Sequence, residues 1–155
     1  ASCLVGSEMC IRDSINIFMS YQNSKCFHFA IEVGDLEEAI KFYCDVLGCT
    51  AGPGEKGWRD IDFWGNELTL HAGGEAGKHK MHKVDMGEVP VPHFGVHLPK
   101  DVYHGIKQRI ESQDTGYLVE PYLRFKGTDY EQETFFVQDT NGNVLELKWL
   151  SNEDL

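Results

Sequence analysis

The chain has 155 residues, the length of one ordinary domain. It carries 25 acidic residues against 14 Lys and Arg, a formal net charge of −11, so it should repel nucleic acid and anionic membranes. Its apolar runs fall far short of the roughly 20 residues that a membrane-spanning helix needs. We therefore expect a small molecule, a metal cation or a second copy of the chain as partner. Five cysteines without a CxxC pair are typical of a reducing, cytoplasmic setting.

The first residues differ from the rest of the chain. Residues 1–14 (ASCLVGSEMCIRDS) have no helical or strand period and lack the basic start and apolar stretch of a signal peptide. They resemble the translation of a sequencing adapter, which is an artefact rather than a protein segment. We predict that residues 1–25 form an extension outside the core.

The next segment predicts a strand followed by a helix. Cys26–Val33 alternates apolar with other residues, which is the period of a strand. Asp35 is a good N-cap, and apolar residues then recur at helical spacing until Gly48, which suits a C-cap. A Gly/Pro turn is expected at 52–54.

A hairpin and a linker follow. Trp58–Trp64 and Glu67–Ala72 read as strands around Gly65 and Asn66, a two-residue turn signal. Residues 73–92 are rich in Gly, Lys and Pro without a period, and we expect a linker or loop there. His79 and His82 lie in this segment, where no helix would hold them as a zinc site.

The same order of elements then starts again. The predicted elements of the second half are a strand at His93–Leu98, a helix at Asp101–Gln113, an extended segment at Tyr117–Phe125, and strands at Glu133–Gln138 and Val144–Leu150. Short sequence echoes support a repeat, since HFAIEV matches HFGVHL and GNELTL matches GNVLEL. We predict an α+β domain of two tandem βαβββ modules, 26–72 and 93–150, with a tail at 151–155.

Three polar side chains occupy related positions in this repeat. His28 and His93 belong to the first strand of each module, and Glu146 to the last strand of the second. By strand alternation, all three leave the face opposite the large apolar residues. Burying them is costly unless they are satisfied, and one divalent metal would satisfy all three. Two imidazoles and a carboxylate leave coordination positions open for a chelating substrate and dioxygen.

These motifs resemble the vicinal oxygen chelate superfamily, the glyoxalase/bleomycin resistance/dioxygenase fold. The resemblance rests on HFAIEV with DLEEAIKFYCDVLG, on PHFGV and on the closing QDTNGNVLELK. VPVPHFG and RFKG further resemble small proteins classed by similarity as extradiol-type dioxygenases. The resemblance implies a curled mixed-sheet cup and a metal held by His28, His93 and Glu146. Fe²⁺ suits this donor set best, with Mn²⁺, Ni²⁺, Co²⁺ or Zn²⁺ as alternatives.

The fourth ligand of many superfamily members has no clear counterpart. Alignment of the two hairpins places Thr69, a poor ligand, opposite Glu146. His71 has the same facing two residues further on, so it is either a fourth ligand or a catalytic acid/base. The missing carboxylate argues against a glyoxalase I reaction.

Further residues are candidates for substrate contacts. Arg124 and Lys126 could hold a substrate carboxylate, and Tyr130 could donate a hydrogen bond. His97 shares the facing of His93 and could line the same cup. Cys44 and Cys49, near the first helix, are expected to be buried small residues rather than nucleophiles.

Three functions remain open from the sequence. The first is a metal-dependent oxidoreductase of extradiol dioxygenase type that acts on a catechol-like substrate. The second is a metal-dependent lyase or isomerase of glyoxalase or epimerase type, and the third is a metal-free small-molecule binding protein. We expect a homodimer, because the sheets leave edges that need cover. Whether one chain or two build the metal site stays open.

Overall fold

A computed structural model describes residues 26–75, 77–84 and 87–151. The extension expected at 1–25 and residues 152–155 of the tail lie outside the described residues. The first module contains β1 (His28–Glu32), α1 (Leu36–Lys41), a π-helix (Phe42–Val46), β2 (Thr50–Glu55), β3 (Trp58–Phe63) and β4 (Asn66–His71).

A hairpin precedes the second module. The remaining elements are β5 (Lys80–Val84), β6 (Gly87–Val91), β7 (Phe94–His97), α2 (Lys100–Ser112), β8 (Val119–Arg124), β9 (Gln132–Gln138) and β10 (Val144–Leu150). None of the helices in the described part of the chain has the length and hydropathy that crossing a bilayer requires.

The two modules share one topology. Sheet 1 has the strand order β1-β4-β3-β2 and sheet 2 the order β7-β10-β9-β8. In each sheet the first strand of the module runs parallel to the last, and the other neighbours are antiparallel. The structure therefore confirms the α+β fold of two βαβββ modules. β1 and β7 lie at the edges of their sheets.

The first helix begins as predicted and ends differently. The Asp35 side chain accepts a hydrogen bond from the Glu38 amide at 3.0 Å, and Glu37 and Glu38 lie in the first turn, where the helix dipole favours anions. The wider π-helical turns then replace the α-helix from Phe42 onward. Gly48 follows with a positive φ of 83°.

Two predicted irregular segments contain strands. The turn expected at 52–54 lies inside β2, an edge strand with a register shift between Ala51 and Gly54, and proline is tolerated on such edges. The linker expected at 73–92 contains β5 and β6, which pair as a separate two-stranded sheet. The sequence of this hairpin shows no apolar alternation, because β5 is almost wholly exposed and mostly polar and only a few apolar residues of the hairpin are buried.

One core joins the modules. A single cluster of buried side chains includes both helices and the helix-facing sides of both sheets. Arg109 on α2 donates to the carbonyl oxygens of Val46 and Leu47 at 2.8 and 2.9 Å, and the buried Tyr43 hydroxyl donates to Asp139 at 3.1 Å. The modules are therefore held by polar contacts as well as by apolar burial.

The opposite sheet faces point away from this core. We call them open face 1 and open face 2, for sheets 1 and 2. Strand alternation places on open face 1 the side chains of His28, Ala30, Glu32, Trp58, Asp60, Asp62, Glu67, Thr69 and His71. Open face 2 presents His93, His97, Gln132, Thr134, Phe136, Val144, Glu146 and Lys148. Both faces point away from the core that the two modules share.

Candidate metal centre

His93 and Glu146 meet on open face 2. Glu146 lies in the middle of β10 with Gly95 and Phe136 as its lateral neighbours. A Cβ at position 95 would overlap the backbone carbonyl of Glu146, so only glycine allows β7 to lie this close to β10. This close approach places the His93 imidazole at the carboxylate: Nε2 is 3.2 Å from Oε2.

The orientation of His93 defines what it can bind. Its Nδ1 lies 2.5 Å from the carbonyl oxygen of Pro90, which accepts only a hydrogen bond. A neutral imidazole that donates from Nδ1 keeps the lone pair on Nε2. Nε2 and the Glu146 oxygen are then two acceptors side by side, an arrangement that a shared cation stabilises. Two donors about 2.1 Å from one ion and about 100° apart lie roughly 3.2 Å from each other, which matches this pair.

The Glu146 carboxylate is buried, with 7 % of its side chain exposed, and needs compensation. Thr134 donates its hydroxyl to Oε1 at 2.9 Å, and the Lys148 ammonium lies 2.8 Å from Oε2. These contacts fix both oxygens of the carboxylate. The sequence interpretation did not single out Thr134 or Lys148, although Lys148 follows Glu146 at the spacing of two that puts them on one face.

His28 has a similar arrangement on open face 1. Its Nδ1 lies 2.6 Å from the carboxylate of Glu67, and 57 % of its side chain is exposed. A carboxylate on Nδ1 is a common second-shell partner of a metal-bound histidine, because it fixes the ring and raises the basicity of Nε2. Both predicted histidine ligands therefore have Nδ1 bound and Nε2 directed away from that partner.

The three predicted ligands are not assembled within one chain. His93 and Glu146 are together on open face 2, and His28 lies on open face 1. Among the described residues, no group of three or more His, Cys, Asp or Glu side chains is close enough to hold a metal ion. The structure thus brings two of the three predicted ligands together and places the third on the other sheet.

The position equivalent to Glu146 in module one holds Thr69. Its buried hydroxyl donates to Asp60 at 2.6 Å, so Thr69 is committed to a neighbouring strand. His71 lies two residues further along β4, exposed, level with Glu32 and Trp58. The structure places His71 on the same face as His28.

The three predicted substrate contacts lie at the far edge of sheet 2. Arg124 ends β8, two strands from β10, with its guanidinium 4.8 Å from the centre of the Phe125 ring. Lys126 is exposed in the loop that follows, and Tyr130 is 74 % exposed there. The register places Arg124 level with Gln132 and with Leu150. Leu150 is four residues from Glu146 along β10, so Arg124 lies about 13 Å from Glu146 in the strand direction.

A cavity of about 300 Å³ adjoins the His93–Glu146 pair. Its lining consists of His93, Phe94, Gly95, Val96, His97, Glu146 and Lys148. His97 therefore lines the same cavity as His93, as its facing predicted. Burial, and next the positive charge of Lys148, lower the pKa of His97 below its ordinary value. Neutral His97 is accordingly favoured beside the lysine.

Cys44 and Cys49 lie in surroundings that disfavour a nucleophilic role. Cys49 is buried and Cys44 half-buried, and in both cases burial is the main factor that raises the thiol pKa. A raised pKa keeps the thiol protonated and unreactive. Both cysteines are packing residues, as predicted.

Comparison with known proteins identifies the family. Residues 25–147 match the model of the Glyoxalase/Bleomycin resistance protein/Dioxygenase superfamily, and the chain belongs to this superfamily. A comparison with curated proteins finds no match.

Solved structures share the fold. The chain is similar to a glyoxalase/bleomycin resistance protein/dioxygenase from Alicyclobacillus acidocaldarius, with 28 % identity, a TM-score of 0.67, and coverage of 85 % of this chain and 95 % of that one. The fosfomycin resistance protein FosX from Listeria monocytogenes is 14 % identical, with a TM-score of 0.62 over 84 % and 97 % of the two chains. Lactoylglutathione lyase from Agrobacterium tumefaciens is 18 % identical, with a TM-score of 0.59 over 81 % and 93 %. At these last two identities, the likeness is one of fold.

Proposed function

We propose that the protein is a metal-dependent dioxygenase of extradiol type that acts on a small catechol-like substrate. In this proposal His93 and Glu146 of one chain and the partner's His28 hold a divalent metal, most suitably Fe²⁺. The observation that carries the proposal is the His93–Glu146 pair, in which Nδ1 donates to the Pro90 carbonyl and Nε2 lies 3.2 Å from a buried carboxylate.

The number of donors favours oxygen chemistry over a reaction that needs a fourth protein ligand. Thr69 occupies the fourth position, and its hydroxyl is bound to Asp60. Two histidines and one carboxylate leave open positions for two vicinal substrate oxygens and for dioxygen, the pattern of non-haem iron oxygenases. When bound, iron would supply Lewis acidity and the one-electron chemistry of dioxygen.

Charge complementarity supports a site completed by a second copy. Open face 1 carries four carboxylates: those of Glu32, Asp60, Asp62 and Glu67. Open face 2 presents His93, His97 and Lys148 around the single carboxylate of Glu146. Because Lys148 balances Glu146 on open face 2, the acidic open face 1 of one copy meets less repulsion there than against a second open face 1. That pairing would bring His28 to the His93–Glu146 pair.

Exposed aromatic rings at the sheet edge are consistent with this pairing. Phe27, beside edge strand β1, is 66 % exposed. Phe29 is partly exposed and packs on Phe94 of edge strand β7, with 5.2 Å between the ring centres. Large apolar side chains that remain exposed at an edge often mark an interface. We propose a homodimer that buries this edge.

The remaining predicted residues take roles in this arrangement. His71 shares open face 1 with His28, so the same pairing would bring it towards the metal, where it would move a proton to or from the substrate. Arg124, at the end of β8, and Lys126 and Tyr130, in the loop after it, would contact only a substrate whose outer group extends about 13 Å from the metal.

A lyase or isomerase is the second candidate. The carboxylates of Asp60 and Glu67 lie beside Thr69 and His28, so a base is present near the position where such enzymes use a carboxylate. This candidate needs a metal and no dioxygen.

Oxygen uptake separates the two candidates. Protein without a His tag is loaded anaerobically with iron, mixed with a panel of catechols and exposed to oxygen. We expect uptake with at least one catechol, and none with Glu146→Gln, whereas Glu120→Gln on the exposed side of β8 serves as the matched control. Turnover of hemithioacetal or thioester substrates without oxygen, alongside no uptake, would favour the second candidate. If a catechol binds to the metal-free protein and no reaction is found, the third function, a metal-free binding protein, is favoured.

Mixed dimers test where the site is built. His28→Ala and His93→Ala are each expected to lose bound metal. In a mixed dimer of these two variants, one of the two shared sites keeps all its ligands, so random mixing should restore roughly a quarter of the wild-type metal sites. No restoration, with dimers confirmed by mass, would contradict a shared site.

A further inference from the structure

The β5–β6 hairpin and the residues just before it carry a dense group of basic side chains. Residues 78–83 (KHKMHK) contain three lysines, two histidines and no acidic residue, in a chain with a net charge of −11. Exposed charges are screened beyond about 8 Å at physiological ionic strength. The potential near the hairpin is therefore set by local charges, these lysines and Glu88 opposite Lys83 among them, and not by the net charge.

The hairpin is fixed onto open face 2. Val89 is buried against Phe136 and Val144, and Val84 packs partly on the same cluster. Phe136 is fully buried although it lies on an open face, because the hairpin covers it. The Pro90 carbonyl binds His93 Nδ1, so the same hairpin orients a predicted ligand.

The register shows which basic residues share the face of the hairpin that packs on open face 2. Lys80 is level with Val91 and His82 with Val89, and residues directly opposite each other in an antiparallel pair share a face. Lys80 and His82 therefore lie on the face that bears Val89, which packs on open face 2. Both are exposed, and Val91 is only two residues from His93. Lys83 is level with Glu88 and lies on the other face.

We propose that Lys80 and His82 bind an anionic group of the substrate, a carboxylate or a phosphate-like group. The proposal rests on the proposed function, because it assigns the substrate's chelating oxygens to the metal at His93 and Glu146. Lys148, which lies at that pair, is already bound to Glu146 at 2.8 Å. In this proposal the Lys80 ammonium forms an ion pair with the anionic group of the ligand, and the His82 ring donates a hydrogen bond to the same group. The substrate class is an anionic catechol-like molecule.

Binding of matched probes tests the proposal. Dissociation constants of iron-loaded protein are measured by calorimetry without oxygen for catechol, 3,4-dihydroxybenzoate, 3,4-dihydroxyphenylphosphonate and the cationic dopamine. We expect the anionic probes to bind about tenfold more tightly than catechol, and this preference to fall with added salt. The better of the two anions identifies the group as carboxylate or phosphate-like.

The variants distinguish the two faces of one strand. Lys80→Gln should remove most of the anion preference and leave catechol binding unchanged, and adding His82→Gln should remove the rest. Lys83→Gln deletes the same charge on the opposite face and should change every dissociation constant by less than about twofold. Equal effects of Lys80→Gln and Lys83→Gln would contradict the proposal, since a general field and not a site would then be responsible.

Two further outcomes overturn the proposal. Equal affinity of wild type for catechol and the anionic probes would reject it while leaving the proposed function intact. Weaker dimers in Lys80→Gln, with all probes affected alike, would show that the hairpin contacts a second copy instead.

Failure of the proposed function can be recognised separately. If none of the four probes binds iron-loaded wild type, the metal-dependent catechol reaction is wrong. The hairpin is then tested in metal-free protein with inorganic phosphate and amide chemical shifts. Shifts at Lys80 and His82 that disappear in Lys80→Gln support an anion site, and their absence from wild type rejects it.

Discussion

The two modules have the same strand order and opposite surface chemistry. On open face 1, the position equivalent to Glu146 holds Thr69, whose hydroxyl donates to Asp60. Four carboxylates lie on the same face. On open face 2, Glu146 is compensated by Thr134 and Lys148 and faces His93. Among the described residues, the β5–β6 hairpin packs on module two through Val89, Phe136 and Val144.

This difference indicates that the open faces of the two repeated modules have different chemical roles. The helix-facing sides of both sheets must stay apolar, because they share one core. The open faces are free of that requirement, so one can become a ligand platform and the other its acidic complement. Changes at equivalent positions should therefore have unequal effects, and the predictions below test this asymmetry in order of decreasing effect.

The largest effect is expected at Glu146. Glu146→Gln removes the anionic donor, and we expect metal affinity to fall at least about 100-fold, because the loss of a direct ligand exceeds the 10–100-fold typical of second-shell changes. Competition with a chelator of known affinity measures this. A smaller loss than that of Glu67→Gln would contradict the role of Glu146 as a ligand.

Equivalent turn residues provide the next comparison. Asp139 accepts four hydrogen bonds, two from backbone amides, one from the Asn143 side chain and one from Tyr43. Its counterpart Asp62 accepts one from the Gly65 amide at 2.8 Å. We expect Asp139→Ala to lower the free energy of unfolding by about 2 to 3 kcal/mol and Asp62→Ala by less than about 1 kcal/mol. Urea denaturation measures both, and similar values would remove the asymmetry.

An intermediate effect is expected where a carboxylate orients a histidine. Glu67→Gln replaces the partner of His28 Nδ1 with a weaker one, so we expect metal affinity to fall about tenfold. The matched control is Glu88→Gln on the outer face of the hairpin, which should not change it. An unchanged metal affinity in Glu67→Gln would contradict the proposal that Glu67 orients His28 as a ligand.

Alkaline pH probes the core between the modules. Burial raises the pKa of Tyr43 and Tyr103 above the ordinary value of 10.0, with Asp139 and Glu133 as further causes. Because the neutral form is favoured in the folded protein, stability is fully present below pH 10 and is lost above it, by about 1 kcal/mol per pH unit for each tyrosine.

Phenylalanine variants test this sign. Tyr43→Phe, at the contact between the modules, and Tyr103→Phe, within module two, should each reduce the slope of unfolding free energy against pH above 10. Denaturant unfolding between pH 9 and about pH 11 measures the slopes. A slope that persists in the double variant would show that other groups cause the alkaline loss.

The smallest effect is expected at Thr69. Thr69→Val keeps the shape and removes the donor to Asp60, so we expect a loss of about 1 kcal/mol in stability and less than a twofold change in metal affinity. Loss of metal in this variant would instead identify Thr69 as a ligand, and the asymmetry with Glu146 would disappear.

Much of the fold was predictable because it depends on local chemistry. Asp35 caps its helix, and the turn at Gly65 and Asn66 needs the positive φ that Gly65 shows. Alternation placed Glu146 and His93 on the face away from the core. The hairpin at 80–91 was missed, since β5 is exposed and carries no apolar alternation, and β2 was missed because Pro53 lies on an edge where proline is tolerated.

The candidate site was predictable only in part. Residue types and facing identified His28, His93 and Glu146, but facing does not say which sheets lie against each other. The contacts of Lys148, Thr134 and the Pro90 carbonyl with the pair depend on the register of β9 with β10 and on the position of the hairpin. Register and packing between sheets are long-range properties, which a local period does not encode.

The amino-acid sequence by itself determined the repeated module, the helix start and the face on which each polar side chain lies, because these follow from nearest neighbours along the chain. The tertiary structure alone decided that His93 meets Glu146, that His28 lies on the other sheet with Glu67, and that a basic hairpin covers open face 2. Those outcomes depend on burying both helix-facing surfaces in one core, which leaves the open faces outside that core.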